Sequence, residues 1–305
     1  MQIDYAAITH PGRVRKNNED AYLLSALNGD EPILNTPPRP LPLGTAGLLA
    51  AVADGMGGAA AGEVASREGL AAVTLHLFGH WGRFTELPRR EEDLLKALVI
   101  AVEEASSAIL RYSDDDRTAR GMGSTLTAAM VWNQHLYVAQ VGDSRAYLFR
   151  SGQLHQLTED QTLVNDLVAS GTLTAEQAKV HPQRNMITQA LGSPQQLVVV
   201  VYKLALKRGD RLLLCSDGLH GEVEDARIRE LMAPGFSPRK TLESLVEEAI
   251  ANGGRDNITG VLLAMNDPLL PMLQPTDALV VEKPLLPEVP RGWMRRLKTI
   301  FGAKK

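Results

Sequence analysis

Three times in this chain an apolar run ends directly in an aspartate beside a glycine: LLAAVADGMGG with Asp54, LYVAQVGDSR with Asp143 and LLLCSDGLHG with Asp217. Two further segments start strands from acids, GGRDNITGVLLAM from Asp256 and KNNEDAYLL from Glu19 and Asp20. Strand ends of a packed sheet converge on one edge, so a fold built from these strands can gather acids from five distant segments in one place. A single Asp-Gly pair is ordinarily a turn. The repetition is what constrains the chain. Clustered carboxylates repel one another unless neutralised, and neither His nor Cys accompanies them in metal-ligand spacing. Hard, oxygen-seeking Mg²⁺ or Mn²⁺ therefore fits, and Zn²⁺ does not. Two such ions can share a carboxylate and a water, making that water a nucleophile toward phosphorus.

The remaining pattern predicts antiparallel sheets. Strands are expected near 3–9, 20–25, 47–53, 197–204, 211–216 and 257–265, with a meander over 124–157. Within the meander the short turns at Trp132-Asn133-Gln134 and Ser151-Gly152 join neighbours. Helical patterns near 59–78, 90–112 and 238–251 then cover the outer sheet faces, giving a layered α+β domain distinct from a doubly wound one. Of 17 prolines, five fall in 32–42 and six in 268–290. Neither stretch can run as helix or central strand. These divisions predict a domain over 1–266 with a Pro-rich surface insertion at about 30–45, a linker over 267–290 and a tail over 291–305.

Charge sharpens the reading. The tail RGWMRRLKTIFGAKK carries six Lys/Arg and no acid, so a net charge of −4 leaves about −10 on residues 1–290. An acidic body argues against nucleic-acid binding and suits divalent cations. The lone Cys215, the absence of a signal-like N-terminus and the lack of a long apolar run lead to the expectation of a cytoplasmic protein. In the tail, Trp293, Leu297, Ile300 and Phe301 share one helical face beside Arg295, Arg296 and Lys298, a pattern for docking on an anionic membrane or a partner, or for a solubilising tail.

Taken together, RKNNEDA (15–21), VADGMGG (52–58), GMGSTL (121–126), VGDSRAYLFR (141–150), LTEDQTLVNDLV (157–168), HPQRNMITQALG (181–192), LLLCSDGL (212–219) and GGRDNIT (253–259) resemble the bacterial branch of the metal-dependent Ser/Thr protein phosphatases, type 2C. The similarity runs in the family's order from Asp4 to about Met265. It implies a four-layer α-β-β-α sandwich around a central pair of antiparallel sheets, with a site for two Mn²⁺ or Mg²⁺ ions and a weaker third.

By the resemblance, Asp54 bridges two metals, the Gly55 carbonyl serves one, and Asp217 and Asp256 serve the other. Glu19 and Asp20 match an acidic pair near the second metal, one a direct ligand and the other acting through water, in an order left open. Asp143 and Asp217 match the weaker site, and Arg15 matches the arginine that grips the substrate phosphate, a task suited to a planar fork of donors. The implied reaction is direct hydrolysis of phosphoserine or phosphothreonine in protein substrates by a metal-activated water, reversing a cognate Ser/Thr kinase. Eukaryotic relatives carry a His two residues after the bridging Asp, where this chain has Met56, which leaves a water at the metal site as the acid. Residues 157–192 match a flap that helps choose substrates, and Gln161 stands where many bacterial relatives have His. His181 is read as a local cap or packing residue and Arg184 as structural.

Other signals are set aside. Asp114-Asp115-Asp116-Arg117-Thr118 fits a D-x-D-x-T nucleophile motif but follows a helical pattern, not the strand that motif needs. As an EF-hand loop it has Ala119 and Thr125 where Gly and Glu are required. Cys215 lacks the downstream Arg of a cysteine phosphatase and reads as a core thiol. Asn257-Ile258-Thr259 matches a glycosylation sequon that carries no weight without a signal peptide. Two alternatives to a protein phosphatase stay open, a catalytically dead binding module and a hydrolase for a small phosphorylated metabolite.

Overall fold

The computed structural model describes residues 3–26, 33–34, 47–57, 61–84, 90–274 and 277–284. The chain runs β1 (Asp4–His10), β2 (Asp20–Ala26), β3 (Ile33–Leu34), β4 (Leu48–Met56), α1 (Ala61–Phe84), α2 (Arg90–Asp115), β5 (Gly123–Ser124), β6 (Leu126–Trp132), β7 (His135–Val141), β8 (Arg145–Arg150) and β9 (Gln153–Gln156). It continues through α3 (Leu163–Ala169), α4 (Ala175–Lys179), β10 (Val200–Ala205), β11 (Arg211–Cys215), α5 (Asp217–His220), α6 (Asp225–Met232), α7 (Pro238–Ala251) and β12 (Ile258–Ala264). One sheet has the order β1-β12-β11-β8-β9 and the other β10-β7-β6-β4-β2-β3, every pairing antiparallel.

The two-residue alternation of strand side chains builds the layers. Leu24, Leu48, Ala50, Val52 and Val138 face Ala146, Leu148, Leu212, Leu214 and Leu263 of the other sheet. The intervening Leu23, Leu49, Ala51, Met130 and Tyr137 turn outward onto Leu70, Leu77, Leu98, Val102 and Ile109 of α1 and α2. On the opposite face, Tyr147, Leu213 and Leu262 meet Leu219, Ile228, Leu242 and Leu245 of α5, α6 and α7. These strands bury both faces, which is why they read as continuous apolar runs. The result is the four-layer α-β-β-α sandwich of the expectation.

Local chemistry accounts for the element ends. The hairpin turns sit in left-handed backbone at Asn133 and Gln134 (φ 47° and 62°) and at Ser151 and Gly152 (φ 54° and 77°), the twist that two-residue hairpin loops require. Ser237 caps α7 by accepting from the Lys240 N–H at 3.3 Å, and Pro238 opens its first turn. Asp116 accepts from the Thr118 N–H at 2.8 Å where α2 gives way to a 3₁₀ turn, so the 114–118 acids finish a helix, as their pattern suggested. The Cys215 thiol is buried and pushed upward by burial, in keeping with a core role.

Three expectations are refined. The insertion at about 30–45 contributes β3, which pairs Leu34 with Leu23 and Ile33 with Leu24; its other residues, like the tail 291–305, lie outside the described residues. The helices α3, α4, α5 and α6 carry no long apolar stripe and were not foreseen. The chain also does not leave the body at Asp267. It runs on as a strap along the exposed edge of β10, where Lys203 and Glu282 exchange backbone hydrogen bonds of 2.8 Å, Leu270 is buried, and Lys283 reaches Glu159 at 2.7 Å. Proline forbids a full strand there, yet an unpaired edge still accepts isolated bridges.

Candidate metal centre

One edge of the sandwich collects the acids. β2 and β4 pair so that Asp20 lies opposite Asp54. β11 ends at Cys215, and Asp217 begins α5 immediately after it. Asp143 sits in the turn where the chain leaves β7 in one sheet for β8 in the other, and Asp256 lies just before β12. Glu19 enters through backbone contact: its carbonyl accepts from the Gly55 N–H at 3.1 Å. Arg15 donates to Asp256 Oδ2 at 2.7 Å. All eight residues singled out in the sequence therefore share this edge. Among the described residues, no three side chains already close a ligand cage, and Asp256 is turned toward Arg15.

The supporting residues are short and polar. Ser216 Oγ donates to Asp20 Oδ2 at 2.7 Å and accepts from the Thr259 N–H at 3.0 Å. Thr125 Oγ1 accepts from the Asp54 N–H at 3.0 Å and bonds Ser144 Oγ at 2.7 Å, joining the Asp54 strand to the Asp143 turn. Asn257 Oδ1 accepts from the Glu19 N–H at 2.8 Å, while its Nδ2 donates to the carbonyls of Pro11 and Asn17. Ser216, Thr125, Ser144 and Asn257 all lie inside the motifs quoted above, but nothing in a linear pattern shows which hydroxyl or amide faces which acid. Gly55 is required for close approach, since a Cβ there would collide with the carbonyl of Gly62.

The electrostatics follow from packing carboxylates together away from water. Asp20 and Asp143 are buried, at 6% and 8% exposure. Burial, then the neighbouring acids, pushes Asp20 up to about 8 against opposing hydrogen bonds from Ser216 and Thr259, and pushes Asp143 up to about 7. The same causes raise Asp54 well above the usual carboxylate range, with Asp20 its strongest charged neighbour. Asp217 is raised by burial and by Asp256, eased by a hydrogen bond with Asp54. Glu19 is raised by burial against the opposing charge of Arg15. Two buried carboxylate oxygens, Asp20 Oδ1 and Asp217 Oδ1, have no hydrogen-bond partner. Orphaned buried oxygens in a cluster of acids are what an oxygen-ligated cation would satisfy.

Asp143, Asp217 and Asp256 open onto a cleft of about 610 Å³ whose far wall includes Val164, Ala178 and Arg184 of the 157–192 segment. His181 Nδ1 accepts from the Gln183 N–H at 3.2 Å, the local role expected of it. Met56 follows Gly55 at the end of β4. His220 Nε2 lies 3.1 Å from the Asp143 carbonyl, and burial holds the imidazole neutral, down to about 3.

Comparison with known proteins assigns this sandwich, with helices outside and buried acids along one edge, to a family. Residues 43–252 match the family model described as protein phosphatase 2C, and the chain belongs to that family. It is 38% identical over 268 residues to the serine/threonine protein phosphatase PstP of Mycobacterium tuberculosis, covering 88% of this chain but only 46% of that one, so it spans about half the length of that relative. The serine/threonine phosphatase stp of Listeria monocytogenes is 35% identical over 259 residues, 85% of this chain and 94% of its own. The crystal structure of the catalytic domain of PstP in complex with two manganese ions superposes with a TM-score of 0.69 at 36% identity, covering 87% of this chain and 99% of that one.

Proposed function

We propose that this chain hydrolyses phosphoserine and phosphothreonine in proteins with two Mn²⁺ or Mg²⁺ ions and a weaker third. The observation that carries the reading is the convergence of Asp20, Asp54, Asp143 and Asp217, each raised by burial and by neighbouring acids, with orphaned oxygens on Asp20 and Asp217. An all-oxygen donor set fits hard divalent ions. Asp54 would bridge the pair, with the Gly55 carbonyl, Asp217, Asp256 and the Glu19–Asp20 pair around it, and Asp143 with Asp217 would serve the weaker site. Bound there, the ions would supply positive charge and an activated water for in-line attack at phosphorus.

The chain's own groups do the rest. Arg15, 53% exposed at its side chain, is free to swing its second nitrogen edge toward a phosphate while Asp256 holds the first. Ser216 holds the Asp20 carboxylate, and Thr125 and Asn257 hold the Asp54 and Glu19 backbone, before substrate arrives, so little reorganisation is needed during reaction. The flap wall of the cleft limits access of water and peptide from the side of Val164 and Ala178.

A cytoplasmic location, resting on the single cysteine, docking of the 291–305 tail on a membrane or partner, resting on its basic, apolar-faced pattern, and a cognate Ser/Thr kinase, which the proposed phosphoprotein substrates would require, complete the proposal. Among the described residues no helix is long and apolar enough to cross a membrane. Equal liposome flotation of the full chain and a 1–290 truncation would remove the membrane part.

The deciding experiment is phosphate release from a phosphothreonine peptide with Mn²⁺, Mg²⁺ or chelator, alongside Asp217→Asn. Metal-dependent release lost in the variant supports the reading. No release by folded protein under any metal favours a binding module.

A further inference from the structure

The flap and the Asp143 turn meet at one residue. Gln161 Oε1 accepts from the Gly142 N–H at 2.7 Å, and the Gln161 backbone N–H donates to the Gly142 carbonyl at 3.0 Å. Both polar groups of Gly142 are thus held by Gln161. The same residue reaches the returning end of the flap: its Nε2 donates to the Val198 carbonyl at 3.0 Å, and its carbonyl accepts from the Thr188 N–H at 2.8 Å. Next to it, Asp160 takes a two-nitrogen grip from Arg145 at 2.8 and 2.6 Å, on the other side of Asp143.

The inner side of the turn has no slack. Gly142 adopts φ +97°, and a Cβ there would lie 2.7 Å from Thr125 Cγ2, while Ser144 is bonded to Thr125. With that side fixed, the aim of the Asp143 carboxylate depends on the Gly142 peptide planes; Gln140 Nε2 shares the Gly142 carbonyl at 3.1 Å, while the Gly142 N–H is held by the Gln161 side chain. We infer that Gln161 is a positioning residue that couples the flap to Asp143, so that movement of the flap changes the ligand geometry there. A side-chain amide suits the task because one oxygen accepts and one nitrogen donates at opposite ends of a rigid plane. The inference rests on the proposed role of Asp143 at the weaker metal site.

The test compares wild type with Gln161→Met, which keeps volume and loses both contacts. The expected result is a rise of roughly three- to tenfold in the Mn²⁺ concentration giving half-maximal phosphate release, the range expected for one lost net hydrogen bond, with KM for the phosphopeptide changed less. Amide hydrogen exchange, read without activity, is expected to quicken at 141–146 and in the flap together, and Mn²⁺ to slow the 141–146 amides less than in wild type. Unchanged Mn²⁺ dependence and unchanged 141–146 exchange would overturn the coupling. If wild type releases no phosphate, the proposed function fails, and the exchange comparison still decides whether Gln161 holds the Asp143 turn. Should Gln161→Met not fold, Gln161→His, with one accepting and one donating nitrogen, is expected to fall between wild type and a full loss; a wild-type profile from it leaves the coupling standing only if the 141–146 amides stay protected.

Discussion

Asp20→Asn should stabilise this protein in chelator, although Asp20 is among its most buried acids. Asp20 is raised from 3.8 to about 8. A carboxyl whose folded value lies above its unfolded one adds stability only where it is protonated. That contribution is complete below about pH 4 and is lost as pH rises through 8. Across that interval of about four pH units, at roughly 1.4 kcal/mol each, the penalty for ionising Asp20 in place is on the order of 5 kcal/mol. An asparagine avoids it. Its Oδ1 can still accept from Ser216, and its amide faces the site of the orphaned Asp20 Oδ1, where it donates toward the neighbouring carboxylates. Urea denaturation in chelator is expected to show the variant more stable by about 2–5 kcal/mol at pH 8, with the difference shrinking toward zero near pH 4. With saturating Mn²⁺ the order should narrow or reverse, since ligands that bind the folded state stabilise wild type. A difference that does not change with pH, or a variant less stable than wild type in chelator at pH 8, would refute the reasoning.

Asp54→Ala, which removes the proposed shared ligand, is expected to lower phosphate release about 100-fold or more at saturating Mn²⁺ with circular dichroism unchanged; wild-type turnover would remove Asp54 from the site. Arg150→Met leaves Asp210, only 1% exposed, without its 2.6 Å partner, and should cost about 3–5 kcal/mol by urea denaturation. Truncation after residue 266 strips Leu270 and the Lys203–Glu282 bridges from the β10 edge; about 2–4 kcal/mol of lost stability and increased light scattering are expected.

The extent of what the chain alone declares can be traced in particular residues. The runs ending at Asp54, Asp143 and Asp217 are legible because a strand buried on both faces must be apolar throughout, so its first acid marks the edge. The Asn133-Gln134 and Ser151-Gly152 turns are legible because short loops between strands leave few conformations. By contrast, α3 and α4 are brief flap helices, and α4 buries no side chain, so no apolar period announces them. The strap after Asp267 was hidden for the opposite reason: its prolines advertise a linker, while its docking depends on the free edge of β10, which exists only once the sheet has formed.

The same division runs through the site. Which acids gather at the sandwich edge was legible in the sequence, since each sits at one end of a strand whose burial is written in its own composition. How they act on one another was decided by tertiary structure. Asp20 and Asp54 are opposed only by the β2–β4 register, and their raised protonation comes from burial and then from acids on segments remote in the chain. Gln161 meets Gly142 only because the flap folds back on the turn joining the two sheets. Side-chain periodicity is a property of neighbours in sequence, whereas electric fields and hydrogen bonds depend on neighbours in space.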